Sequence, residues 1–132
     1  MRVPYRYERG RILRPMLDVD VLSASGQVFS ADALVDSGAD TCLFDMSIAR
    51  EATATLYPQL ARRISGVSGR IDSIPGLLTI RILGHKLQLR TQFAENVEPN
   101  LLGRDDFFRY FHVCFDERAS ELELRFRRTS PH

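Results

Sequence analysis

The sequence is short of the features that signal special chemistry, and each shortage excludes something. It has only two cysteines in 132 residues. Cys42 and Cys114 form no Cys-x-x-Cys motif, so neither a disulfide framework nor a thiolate metal site is expected, and both read as buried, reduced, apolar side chains. The three histidines, His85, His112 and His132, are scattered, which argues against a zinc site. Lysine is nearly absent: Lys86 stands alone among 18 basic residues, a bias of composition rather than of function. Charge of one sign is not in excess either. With 17 acidic residues the net charge is +1, so no nucleic acid and no membrane surface is expected as a main partner. No apolar run approaches the roughly 18 residues of a membrane span. Arg2, Arg6, Arg9, Arg11 and Arg14 crowd the N-terminus with no continuous apolar stretch behind them, so a secretory signal is not expected and a cytoplasmic location is. Repeats, low-complexity tracts and Gly/Ser linkers are missing too, which leaves one domain over residues 1–132.

What remains is ordinary globular composition, 44% hydrophobic and 27% charged, with a pattern dominated by strands. Leu17, Val19 and Val21 alternate with Asp18 and Asp20, the period of a half-buried strand. Ser23 to Gly26 supplies a turn, and Val28 to Val35 returns as a second strand. Thr41 to Phe44 is a short apolar strand, after which Asp45 caps a helix from about Met46 to Thr55 that Pro58 ends. Arg63 to Ile74 reads as a strand pair around Gly66-Val67-Ser68-Gly69. Leu77 to Leu83 and Leu87 to Phe93 form a hairpin across Gly84-His85-Lys86. Arg104 to Phe111 is a brief helix with Asp105 and Asp106 in its first turn, where negative charge suits the helix dipole. Val113 to Asp116 and Glu121 to Phe126 are two last strands. Roughly eight short strands with one or two short helices predict an all-β domain of closed-barrel type.

The segment richest in chemistry is Ala33-Leu34-Val35-Asp36-Ser37-Gly38-Ala39-Asp40-Thr41. An apolar strand delivers the Asp36 carboxylate into a tight loop, and Cys42-Leu43-Phe44 leads away from it. Ser37 offers a hydroxyl to brace the loop, and Gly38 lets backbone come close. Alone, the Asp-Ser-Gly triplet is equally an ordinary turn between strands. Two further segments add weight. Ile64-Ser65-Gly66-Val67-Ser68-Gly69-Arg70-Ile71 reads as a glycine-rich hairpin with an apolar tip. Asn100-Leu101-Leu102-Gly103-Arg104-Asp105 places an apolar pair and a glycine before a short helix.

In that order the three segments resemble the retropepsin-like family, the single-lobe, retroviral-type aspartic proteases. The likeness runs from about Arg14 to Phe126, and Arg14-Pro15-Met16-Leu17 is similar to the start of the first strand in viral members. The resemblance implies a retropepsin-like β-barrel of bacterial rather than viral type, active as a two-fold homodimer on peptide or protein substrates, with no cofactor and no metal. The physical logic is that two carboxyl groups about 3 Å apart cannot both ionise, so they share a proton and serve together as base and acid. The chain holds a single Asp-[Ser/Thr]-Gly, so the second carboxylate must come from a second copy.

The resemblance assigns the remaining roles. Asp36 is the catalytic residue, supported by Ser37, Gly38 and Arg104. Gly38, Ala39 and Asp40 line the cleft, with Asp40 paired to Arg104, and with Arg14 of the partner as a second candidate for that pair. Gly66 and Val67 belong to a flap that closes over substrate. The sequence departs from the viral pattern in extra residues before Asp36, in the helix after Phe44, and in the long hairpin that runs past Phe111 to Arg127-Arg128, where viral members interleave their chain ends. Two other classes of function compete with the endopeptidase. One is a retropepsin-like dimerisation or peptide-binding module that no longer cleaves, although such a module has no need of the carboxylate. The other is a small barrel that binds nucleic acid through Arg125, Arg127 and Arg128, which the near-neutral charge opposes.

Overall fold

The structure, a computed structural model, describes residues 1–8, 12–66 and 69–127. The strands in chain order are β1 (Arg2–Pro4), β2 (Arg6–Glu8), β3 (Ile12–Arg14), β4 (Met16–Leu22), β5 (Val28–Val35), β6 (Cys42–Asp45), β7 (Thr55–Leu56), β8 (Arg62–Gly66), β9 (Gly69–Ile82), β10 (His85–Ala94), β11 (Asn100–Leu102), β12 (Phe111–Asp116) and β13 (Glu121–Phe126). Helix α1 (Met46–Ala52) follows β6, a single 3₁₀ turn spans Pro58–Leu60, and α2 (Phe107–Tyr110) precedes β12.

Alternation along β4 decides which way the barrel faces. Leu17, Val19 and Val21 are buried while Asp18 and Asp20 point outward, as a period of two requires. The same logic on β5, β9 and β10 closes six strands into a ring in the order β10, β6, β11, β5, β4, β9, with β9 pairing back onto β10. Inside it, Phe44 and Phe93 lie opposite one another on the parallel β6–β10 pair and are fully buried with Val19, Val21, Ile80, Leu89 and Leu102. Each such side chain contributes about 1.5–3 kcal/mol by leaving water. This is a closed, mostly β barrel, as the strand pattern predicted.

A second sheet, ordered β1, β13, β12, packs beside the barrel. His85 stacks on Phe126 with ring centroids 4.0 Å apart, and Phe107 stacks on Phe111 at 5.0 Å. Tyr5 joins the same region: its hydroxyl donates to Glu117 at 2.8 Å. Burial, helped by that carboxylate, pushes the phenol up to about 12. The long hairpin past Phe111 is therefore β12–β13, and the chain's own N-terminal strand β1 pairs with it, the terminal amine donating to the Leu124 carbonyl at 2.8 Å. Arg128 lies outside the described residues. Among the described residues no helix is long and apolar enough to cross a membrane.

Several boundaries differ from the sequence reading. Helix α1 stops at Ala52, not near Thr55, because Thr53 adopts a left-handed conformation (φ 51°) and its N–H turns back to the last carbonyls of the helix. The predicted cap holds, with the Asp45 carboxylate accepting from the Ser47 N–H at 3.1 Å. Strand β9 runs unbroken through Pro75 and Gly76, where two separate strands were expected. The Pro75 carbonyl accepts from the Tyr57 N–H, and a Cβ at Gly76 would meet the Thr55 carbonyl oxygen at 2.4 Å, so β7 rests directly on this stretch. The β9–β10 turn is tighter than expected and is made by Leu83 and Gly84, both at positive φ. Cys42 is buried as expected, but Cys114 is exposed, since its place on β12 turns its side chain to solvent.

Candidate active site

Strand β5 ends at the buried Val35, and the next residue, Asp36, emerges half-buried at the barrel rim. The loop that follows is closed by its own backbone. Asp36 Oδ1 accepts from the Gly38 N–H at 2.8 Å, and the Asp36 carbonyl accepts from the Ala39 N–H at 3.2 Å. Gly38 suits this turn because a Cβ there would press on the carboxylate at 3.2 Å. Ser37 is exposed, and its hydroxyl makes no hydrogen bond among the described residues.

The loop is held from the other side by the segment around Gly103. Strand β11 slots between β5, which it parallels, and β6, which it opposes at Leu101 and Leu43. From there the Leu102 carbonyl accepts from the Asp36 N–H at 3.0 Å. Arg104 donates its N–H to Ala39 and Asp105 to Asp40, each at 2.9 Å, and the Asp105 carbonyl accepts from Cys42 at 3.0 Å. Gly103 lies so close that a Cβ would sit 2.2 Å from the Thr41 carbonyl oxygen and 2.9 Å from that of Ala39. Beneath it, the Cys42 sulfur accepts from the Gly103 N–H at 3.3 Å, and burial pushes this thiol up from its ordinary range. The apolar-Gly step was visible in the sequence. The close fit of Gly103 was not, because its partners are half the chain away.

Arg104 is near Asp40, as expected, but the contact is loose. The two groups stand 3.6 Å apart, with side chains 66% and 92% exposed, so in the single chain the pair is solvated and worth little. The backbone of Arg104, rather than its guanidinium, is what braces the loop. The predicted helix from Arg104 starts only at Phe107, because the Asp105 carbonyl, which a helix would offer to the Arg109 N–H, is taken by the Cys42 N–H. Asp105 and Asp106 consequently do not serve a helix dipole. Asp105 bridges Arg90 at 3.0 Å and Arg109 at 3.3 Å, and the fully buried Asp106 accepts the Arg90 N–H at 3.3 Å.

Facing the loop is the β8–β9 hairpin, in register from Arg62 opposite Ser73 to Gly66 opposite Gly69. Gly69 has φ 110°, an angle that side chains resist. Val67 and Ser68 lie outside the described residues. The structure thus gathers Gly38, Ala39 and Asp40 around one cleft of about 350 Å³, walled by Arg62 to Ser65 on β8 and by Leu43 and Leu101. Gly66 ends the same strand. Thr41, Leu43 and Leu101 were not picked from the sequence as lining residues.

The fold has counterparts among solved structures. EIAV protease in complex with the inhibitor HBY-793 is 25% identical, with a TM-score of 0.59 over 78% of this chain and 89% of that one. The chain has the retropepsin-like fold. A retropepsin-like aspartic protease from Rickettsia conorii matches over 92% of this chain and 97% of that one, at 15% identity and a TM-score of 0.62. The retroviral protease-like domain of Ddi1 from Leishmania major matches over 83% and 87%, at 19% identity and a TM-score of 0.52. No family model and no curated protein matches the sequence. In this retropepsin-like chain the Asp36 loop lies at the barrel rim, beside the cleft that Gly38, Ala39 and Asp40 line.

Proposed function

We propose that this chain is an aspartic endopeptidase, a single retropepsin-like domain that works as a two-fold homodimer with one Asp36 from each copy. The observation that carries the reading is the half-buried Asp36 carboxylate, held by the Gly38 N–H in a braced loop whose next residues, Gly38 to Asp40, line a cleft. One such loop supplies half of a dyad, and the chain contains no second Asp-[Ser/Thr]-Gly. In the dimer the two carboxyl groups share a proton. The ionised one takes a proton from water as its oxygen attacks the scissile carbonyl carbon, and the protonated one gives its proton to the carbonyl oxygen. Collapse of the tetrahedral intermediate then breaks the C–N bond as the amine leaves protonated.

The exposed Ser37 hydroxyl is placed to bond the facing loop of the other copy, and the backbone of Gly38, Ala39 and Asp40 to bind substrate as an added strand. The β8–β9 hairpin up to Gly66 acts as the flap, which excludes bulk water when shut. Likeness to the Rickettsia conorii protease over nearly the whole chain supports a bacterial-type member.

The test is a peptide-library digest with the purified full chain, wild type against Asp36→Asn, with sedimentation equilibrium at micromolar concentration on both. We expect cleavage by the wild type, none by Asp36→Asn, and a dimer in each case. Undiminished turnover by Asp36→Asn, or cleavage by a strict monomer, would overturn the assignment.

A further inference from the structure

We propose that Arg62 is a specificity-determining residue that selects a glutamate side chain in the substrate strand, an inference that rests on the peptide-cleaving reading above. Period-two alternation puts Arg62 and Ile64 on one face of β8 and Arg63 and Ser65 on the other. Arg62 is exposed at the cleft edge, and its partner across the strands, Ser73, is 1% exposed and donates its hydroxyl to Gln92 at 2.8 Å. Arg63, opposite Asp72, borders the same cleft but pairs with that carboxylate at 3.1 Å.

Arg62 borders the cleft beside Ala39, Asp40, Leu43 and Leu101, and also an adjoining cavity of about 250 Å³ lined by Tyr57, Arg90 and Asp105. Of the two carboxylates that border these cavities, Asp105 bridges Arg90 and Arg109, while Asp40 stands in its loose, exposed contact with Arg104. No carboxylate of the described residues lies within ion-pair distance of Arg62. The cleft therefore carries a guanidinium with its donors unspent, next to the half-buried apolar side chains of Leu43, Ile64 and Leu101. A ligand group that satisfies both is a carboxylate on a short apolar stem: the methylenes rest on the leucines and the carboxylate accepts from the planar fork. Glutamate fits that description better than aspartate, whose stem is one carbon shorter.

The experiment compares peptides that carry Glu, Gln or Arg at each of the three positions on either side of the cleaved bond. The wild type should prefer Glu over Gln at one position by about tenfold in kcat/KM, the low end of what a charge-assisted hydrogen bond contributes. The ratio should shrink in added salt. Arg62→Gln should bring it to about one and Arg62→Glu should turn it toward Arg, whereas Arg63→Gln should keep the wild-type ratio. Absence of any Glu preference, or a preference that survives Arg62→Gln, overturns the proposal. If the wild type cleaves nothing, the endopeptidase reading fails on its own. Fluorescence anisotropy of the labelled Glu and Gln peptides with the Asp36→Asn chain then decides the role of Arg62. Tighter binding of the Glu peptide, lost with Arg62→Gln, supports it, and equal or absent binding of both refutes it.

Discussion

Replacing Gly103 by alanine adds one methyl group where the chain has no room for it. The new Cβ would sit 2.2 Å from the Thr41 carbonyl oxygen, 2.5 Å from its carbon and 2.9 Å from the Ala39 oxygen. All three are backbone atoms, so no side chain can rotate away. To reach an ordinary contact the Gly103 segment must retreat by about 1 Å, in an interior packed as densely as a crystal. The hydrogen bonds from Arg104 to Ala39 and from Asp105 to Asp40, both 2.9 Å long, would stretch past bonding length. Two bonds at about 1 kcal/mol each and about 1–3 kcal/mol of overpacking strain give a loss of about 3–5 kcal/mol. That is a large part of the roughly 5–15 kcal/mol that holds a domain together. Urea titrations followed by circular dichroism read the loss directly, with Gly38→Ala as the comparison. There the Cβ meets only Asp36 Oδ1 at 3.2 Å, so stability should fall by less than about 1 kcal/mol. If Gly103→Ala also costs under about 1 kcal/mol, then the tight fit of this segment is not what holds the loop, and the reasoning fails.

Three other expectations follow from single observations. In the native protein a thiol reagent should modify Cys114, which is exposed, and spare Cys42, whose buried thiol is pushed up; both should react in denaturant, and rapid native reaction at Cys42 would contradict its burial. Hydrogen bonds, first from the Ser47 hydroxyl, hold the Asp45 carboxyl below its ordinary value of 3.8. The fold therefore favours the ionised form, and this stabilisation is complete above the unfolded value and disappears as pH falls through the folded one. Asp45→Ala should cost about 1 kcal/mol at neutral pH and progressively less in urea titrations below pH 4, and an equal cost at both would refute it. Arg104→Ala should change the stability of the isolated subunit by under about 1 kcal/mol, because its pair with Asp40 is exposed. A weaker dimer in sedimentation equilibrium would show that assembly buries the pair, and an unchanged one would leave it on the surface.

Local pattern made much of this legible in advance. Strands β4 and β5 declare themselves through alternation, the α1 cap through Asp45, and the Asp36 loop through an apolar strand that ends in Asp-Ser-Gly. The misread parts depend on distant partners. Asn100–Leu102 is too short to announce a strand, and it becomes one only because β5 and β6 offer their backbones on either side. Arg104 and Asp105 carry helical signals, yet Cys42, far back along the chain, claims the Asp105 carbonyl that a helix there would need. Pro75 looks like the end of a strand, but the strand continues because β7 and β10 support it from both edges. At the site, the Asp40–Arg104 pair was legible in the sequence, whereas the bracing of the loop by the Arg104 backbone N–H was not.

The slot that β11 fills has a consequence for how the protein is made. A ribosome releases the chain from its N-terminus, so β4, β5 and β6 emerge long before the segment that must come to lie between β5 and β6. Contacts between such distant stretches carry a high loop-closure cost and form slowly. Until Gly103 to Asp105 arrive, the Asp36 loop has only its own Gly38 and Ala39 bonds, and the gap between its flanking strands is open. A growing polypeptide is thus without a finished carboxylate site until the Gly103 segment has emerged. If the chain cuts peptides as proposed, that late closure keeps the unfinished chain from cutting.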